Sequence, residues 1–209
     1  MTWSLTPESF IPPPMVKRLR EVAASLAEDA KRRRLWHPVR NHLMIELGLN
    51  TGLRASELAD LRVADVILDD DAPAVIVRHG KGDKVRTVRI GQDLKELIRS
   101  YLQYREFTGY GRYEWLLPGQ RGRWTRHGVG RTFRKLAKAA GLPDRFSAHS
   151  MRHTFATELL RVSGSLRLTQ KVLGHSSPTT TSIYADIQDD QAIDAANKLF
   201  KPKEPPQHK

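Results

Sequence analysis

Apolar residues recur at helical spacing through much of the chain, and the first such stretch follows Pro12, Pro13 and Pro14. Proline is barred from a helix interior but suits its first turn, so a helix is predicted from there to about Arg33. Val16, Leu19, Val22, Ala23 and Leu26 mark its apolar face, and the basic run KRRR at 31–34 complements the negative end of its dipole. Pro38 opens a second predicted helix, in which Val39, Leu43 and Leu47 repeat every fourth position, and Asn50, Thr51 and Gly52 end it. Arg54 then starts a short third helix, RASELADL.

Between about 62 and 91 the period changes. After the acidic turn DDD at 69–71, AVIVR at 74–78 and VRTVRI at 85–90 read as two strands of a β-hairpin. The connecting loop is HGKGDK, where Gly80 and Gly82 permit backbone angles closed to other residues. Helical spacing returns with Leu94, Leu97, Ile98, Tyr101 and Leu102, and again with Val129, Phe133 and Leu136. Between these stripes, WLLP at 115–118 predicts a short extended piece before a glycine- and arginine-containing loop at 119–126. In a helix beginning near Ala148, Met151, Phe155 and Leu159 define the buried side and place His149, Arg152 and His153 on another face. With no internal repeat and no evident linker, the pattern predicts one α+β domain over residues 1–200, mainly α-helical with a small antiparallel β-sheet. A basic, proline-containing tail at 201–209 is expected to be disordered.

Composition narrows the partners. The 209 residues carry 35 Lys and Arg against 23 Asp and Glu, a formal net charge of +12, which favours a polyanion through steering and counterion release. Nucleic acid is the usual polyanion, although ribosomal and membrane-surface proteins share the bias. The absence of cysteine excludes disulfides and cysteine-ligated metal. No signal-like start and no apolar run near 20 residues is present, so a soluble, cytoplasmic protein with no membrane partner is expected.

Four polar motifs carry candidate chemistry: TGLR at 51–54, HSMR at 149–152, LGH at 173–175 and Tyr184. Together they supply two guanidiniums, two imidazoles and a phenol, a set suited to a phosphodiester. Each has a plain alternative. HSMRH alone also describes a surface helix with two histidines, and Tyr184, between Ile183 and Ala185, also describes a core aromatic. His149 and His153 stand at metal-ligand spacing, but no glutamate follows His149 in the HExxH manner and no third ligand is evident, so no metal and no cofactor is assigned. Ser177 and Pro178 predict the start of a short helix bearing Tyr184.

In combination these residues resemble the catalytic domain of the tyrosine recombinases, the phage integrase family. The resemblance rests on Arg54 in TGLRASEL, Lys81 in the GKG hairpin loop, His149 and Arg152 in HSMRHTFAT, His175 in LGHSSPTTT, and Tyr184, in the family's order from about Leu5 to Phe200. Glu57 matches the family's supporting acidic position. The resemblance implies a site-specific recombinase that cuts and rejoins DNA through a 3′-phosphotyrosine, for integration, excision or inversion. Tyr184 would be the nucleophile and His149 its general base, because a phenol with a pKa of about 10 needs help losing its proton at neutral pH. Arg54 and Arg152 would clamp the non-bridging oxygens, and His175 would add a hydrogen bond. Lys81 would protonate the departing 5′-oxygen, with Lys84 as the other candidate. One phosphoester replaces another, so no ATP is required, and with the arginines supplying the electrostatic stabilisation the implied mechanism requires no divalent metal.

The implied partner is double-stranded DNA bearing inverted-repeat sites, on which the protein would assemble as a dimer or tetramer. Many relatives carry a further helical domain before the catalytic one, whereas only about 50 residues precede Arg54. The chain therefore resembles either the short, catalytic-domain-only form or a catalytic domain excised from a longer protein, and an accessory DNA-binding protein is an expected partner. The amphipathic segment DDQAIDAANKLF at 189–200 would dock on a neighbouring subunit or pack on its own domain. Relaxation by type IB topoisomerase chemistry and a non-catalytic DNA-binding regulator on the same fold are the alternative readings.

Overall fold

The computed structural model describes residues 10–78, 85–120 and 122–174. The predicted hairpin loop with Lys81 and Lys84, His175, the predicted helix with Tyr184, the segment 189–200 and the tail 201–209 all lie outside these residues.

Helix α1 (Pro13–Arg32) begins on the proline run, as the pattern predicts. Leu19, Ala23, Ala27 and Ala30 form its buried stripe, while Leu26, predicted to face inward, stays 45% exposed. Three of the four buried positions are alanine, and the bulkier Leu26 lies outside this stripe. That neighbour, α2 (Trp36–Thr51), starts two residues before Pro38 and holds the proline in its first turn, where a missing N–H leaves no carbonyl unpaired. It packs against α1, α4, α5 and α6 and is buried on nearly every side, through Val39, Leu43, Met44, Ile45 and Leu47 among others. A helix buried on so many sides lies at the centre of the core, and among its polar residues Arg40 pairs there with the Pro118 carbonyl and Glu46 with Arg20.

The sheet is antiparallel, in the order β1-β2-β3. β2 (Ala74–Val77) and β3 (Arg86–Arg89) are the predicted hairpin strands, with Val77 opposite Arg86 and Val75 opposite Val88. β1 (Val66–Ile67), which pairs with β2, was not predicted, because two residues are too few to display an alternation. α4 (Gln92–Phe107) and α5 (Arg126–Ala139) bury Leu94, Ile98, Tyr101, Val129, Phe133 and Leu136, in keeping with the predicted stripes. Of the predicted extended WLLP piece only a single bridge forms: Trp115 pairs with Arg62 and the Leu116 N–H donates to the Leu61 carbonyl at 2.7 Å, but the backbone bends at Leu116 and Leu117.

The chain's last described helices are α6 (Ala148–Ser163) and α7 (Leu166–Leu173), the second of which the sequence pattern did not reveal. Met151 enters the main core as predicted, but Phe155 and Leu159 are only half-buried. Phe155 packs with Ala156, Leu160 and Leu173 in a small separate cluster between α6 and α7. Arg152, placed by the pattern on a face away from the core, is buried at 3% exposure. Among the described residues no helix is long and apolar enough to cross a membrane.

Candidate active site

The site begins where α2 stops. Gly52 caps α2 in the left-handed conformation, at φ 63°, a region costly for any residue with a Cβ. A Cβ there would also press on the Phe155 ring and stand 2.8 Å from Leu173 Cδ2. The glycine thus lets α6 and α7 close on the end of α2. The turn points the Gly52 carbonyl at α6, where it accepts from Arg152 Nη1 at 2.7 Å.

Two residues on, Arg54 is the N-cap of α3 (Ala55–Asp60). Glu57, at the third helical position, reaches back to accept the Arg54 backbone N–H at 2.8 Å, one half of a capping-box arrangement. The same carboxylate accepts from Arg54 Nη1 at 2.9 Å. It also accepts two bonds from Arg86, Nη1 to Oε1 at 2.9 Å and Nη2 to Oε2 at 2.8 Å. Arg152 Nη1 stands 4.0 Å from Oε2. Three guanidiniums therefore gather on one carboxylate whose side chain is only 3% exposed.

The electrostatics follow from that crowding. Burial would raise the Glu57 pKa, but the hydrogen bonds and charge of Arg86, then the Arg54 backbone N–H and the charge of Arg152, outweigh it and hold the group down at about 2. Glu57 is thus ionised at neutral pH, and it balances only part of the surrounding positive charge. Arg54 keeps 28% of its side chain exposed, so the excess faces solvent there. An anion that met this surface would find directional donors in a partly water-excluded setting.

His149 sits one turn before Arg152 on α6, whose first turn is capped by Ser147 with reciprocal contacts to Ser150. The His149 and His153 rings meet edge to face with centroids 4.4 Å apart. Burial, followed by the positive charges of Arg152 and then Arg54, lowers the His149 pKa below 6.5. At neutral pH the imidazole is uncharged and able to accept a proton. Arg152 binds a second carbonyl as well, Leu173 O at 2.7 Å, and so ties α6 to the C-terminal end of α7.

Of the six predicted site residues, Arg54, His149 and Arg152 are described, and they converge from parts of the chain about 100 positions apart. Lys81, His175 and Tyr184 lie outside the described residues. Arg86 is a participant that the sequence reading missed. Its signal was present: β3 alternates, Val88 and Ile90 are buried, and Arg86 shares their parity. An arginine at an inward register position of a short strand calls for a buried partner.

A family profile described as Phage integrase family matches residues 18–191. Tyrosine recombinase XerD of Bradyrhizobium diazoefficiens is 36% identical over 187 residues, covering 85% of this chain and 57% of that protein. Among solved structures, XerA recombinase is 28% identical with a TM-score of 0.73, covering 96% of this chain and 68% of the other. XerH recombinase bound to difH substrate, in a pre-cleavage complex, is 26% identical with a TM-score of 0.74, covering 97% of this chain and 57% of the other. The chain spans about half the length of the curated relatives it matches. The mainly helical fold with a three-stranded antiparallel sheet is the one these recombinases share. The profile match takes in every position from the end of α1's first turns through Arg54, Glu57, His149 and Arg152 to Tyr184, and the chain belongs to the phage integrase family.

Proposed function

We propose that this domain cleaves and rejoins double-stranded DNA at specific sites by transesterification. The observation that carries the reading is the convergence of Arg54 and Arg152 on Glu57 beside a neutral, half-buried His149. Two guanidiniums suit the non-bridging oxygens of a phosphodiester, where they would stabilise the charge of a pentacovalent transition state. Glu57 keeps them oriented before substrate arrives, so less reorganisation is needed at the moment of reaction.

In the proposed cycle the Tyr184 hydroxyl attacks the scissile phosphorus, and His149 takes the phenolic proton. The bond to the 5′-oxygen breaks, and Lys81 protonates that oxygen. The products are a 3′-phosphotyrosine and a free 5′-hydroxyl. Attack by another strand's 5′-hydroxyl reverses these steps and completes strand exchange. His175 contributes a further donor to the phosphate. Phosphoester is exchanged for phosphoester, so the cycle consumes no ATP, and the arginines serve the electrostatic role that a divalent metal fills elsewhere. The proposed target is duplex DNA with inverted repeats, bound by two or four copies of the chain, with an accessory DNA-binding protein as a further partner. XerH, about half of which this chain resembles, is known bound to its difH substrate.

The test uses a nicked duplex carrying inverted repeats recovered by selecting the protein's preferred DNA from a randomised library. Cleavage next to the nick releases a short strand and traps the covalent complex. The wild-type chain should form the adduct in the presence of a chelator, and Tyr184→Phe should form none while binding the same duplex. An adduct that persists with phenylalanine at 184, or that requires added Mg²⁺, would contradict the mechanism.

A further inference from the structure

Arg86 has the partner set of a clamp residue without being one of the expected clamp residues. Its guanidinium faces the Glu57 carboxylate with two parallel bonds, and its Nε donates to the Val172 carbonyl at 3.2 Å. Val172 O and Leu173 O are adjacent carbonyls at the C-terminal end of α7, where the helix leaves acceptors unpaired and carries partial negative charge. Arg86 takes the first and Arg152 the second. Arg86 and Arg152 therefore stand side by side, each spanning the gap between Glu57 and the end of α7.

The backbone beyond α7 is shaped around the same side chain. Gly174 caps the helix at φ 65°, and a Cβ on it would lie 3.0 Å from Arg86 Cδ and 3.4 Å from its Nε. Arg86 itself is 12% exposed and is held from strand β3, while Glu57 is on α3 and Val172 on α7. One side chain thus joins three elements, β3, α3 and α7. Arg78, at the other leg of the hairpin, pairs with the buried Asp65 carboxylate, so both legs are anchored by guanidinium–carboxylate contacts.

We propose that Arg86 is a positioning residue of the phosphate clamp: it fixes Glu57, and through Glu57 Arg54, while holding the end of α7 against Arg152. The inference rests on the transesterification reading above. Arg86 need not touch DNA to act. It sets the angle of the carboxylate from which Arg54 is oriented, and it shares with Arg152 the load of keeping the residues before His175 in register.

The experiment compares the wild type with Arg86→Ala and Arg86→Lys on the selected nicked duplex, at saturating protein and well below each variant's Tm. Single-turnover cleavage should fall about 100-fold in Arg86→Ala, the size expected when reacting groups are displaced by about 1 Å, while DNA affinity changes by less than about threefold. Lysine cannot reproduce the bidentate bond together with the carbonyl contact, so Arg86→Lys should recover less than about tenfold. The loss should be non-additive with Glu57→Gln, because the two act as one unit. A second duplex replaces the bridging 5′-oxygen at the scissile bond with sulfur, whose thiolate leaves without a proton. The Arg86→Ala defect should persist on it, whereas full recovery would mean that Arg86 serves the general acid and would overturn the clamp assignment. A lowered Tm with an unchanged cleavage rate would equally overturn it, leaving a purely structural role. Should the wild type itself form no adduct, the transesterification reading fails, and the positioning claim is judged by hydrogen exchange. Arg86→Ala should then speed exchange over residues 166–174 relative to α1, and unchanged exchange there would refute it.

Discussion

Replacing Glu57 by glutamine keeps the shape of the side chain and one acceptor oxygen but removes the charge on which Arg54 and Arg86 converge. The depression of the Glu57 pKa from 4.5 to about 2 measures how much the folded state prefers the ionised group, and a shift of that size corresponds to about 3 kcal/mol. The group is buried, with its side chain 3% exposed, so little of that figure is lost to solvent screening. Because the folded value is depressed, the contribution is complete above the unfolded value of 4.5 and is lost as the pH falls toward 2. Urea unfolding followed by tryptophan fluorescence should therefore place Glu57→Gln about 3 kcal/mol below wild type at pH 7, and almost as far below at pH 5. At pH 3.5 the gap should be about 1 kcal/mol smaller. A gap of the same size at pH 7 and pH 3.5 would refute the charge-based argument, since loss of packing or of a neutral hydrogen bond does not titrate. A gap under about 0.5 kcal/mol at pH 7 would show that the carboxylate orients the arginines without stabilising the fold.

Gly52→Ala should destabilise by about 2–4 kcal/mol in the same unfolding assay, combining a left-handed backbone penalty with overpacking against Phe155 and Leu173; wild-type stability would contradict the cap geometry. Burial is the first cause lowering the pKa values of His37, His42 and His149, which therefore bind protons more readily in the unfolded chain. Their stabilising effect is present above 6.5 and is lost as the pH falls through that value toward each folded one, so Tm should drop between pH 7 and 5.5, and a rising Tm over that interval would be inconsistent. The cleavage rate should lose its acid limb in His149→Gln, a pH–rate profile that separates a proton acceptor from a packing residue. Arg152→Ala should slow single-turnover cleavage by about 10²–10³, the scale of losing one oxyanion donor, and should also loosen α7, because the Gly52 and Leu173 carbonyls lose their donor.

Long, strongly periodic stretches were legible. α2, α4 and α5 appear with the stripes that the sequence displays, and the hairpin strands keep their predicted positions. The weaker readings failed where tertiary contact decides burial. On α6 the fourfold spacing of Met151, Phe155 and Leu159 marked the buried side, yet the helix rolls far enough to bury Arg152 and Thr154. It can do so because Gly52 O and Leu173 O wait for Arg152, and carbonyls contributed by two other elements leave no trace in α6's own periodicity. The eight residues of α7 offer little more than two turns of pattern. In the site, motif spacing singled out Arg54, His149 and Arg152, because arginine and histidine at those positions are chemically conspicuous. Arg86 escaped notice among the alternating residues of VRTVRI, although its inward parity with Val88 and Ile90 was there to be read. Glu57 was marked as supporting, but that one carboxylate would organise three guanidiniums is a fact of packing.

The most direct measurement is to digest the adduct trapped on the nicked duplex and identify its linkage by mass spectrometry. The predicted result is a deoxynucleotide joined through its 3′-phosphate to the Tyr184 side chain, with a free 5′-hydroxyl on the released strand. A 5′-linked adduct, attachment at any other residue, or clean hydrolysis with no protein attached would contradict the assignment of transesterification to this site.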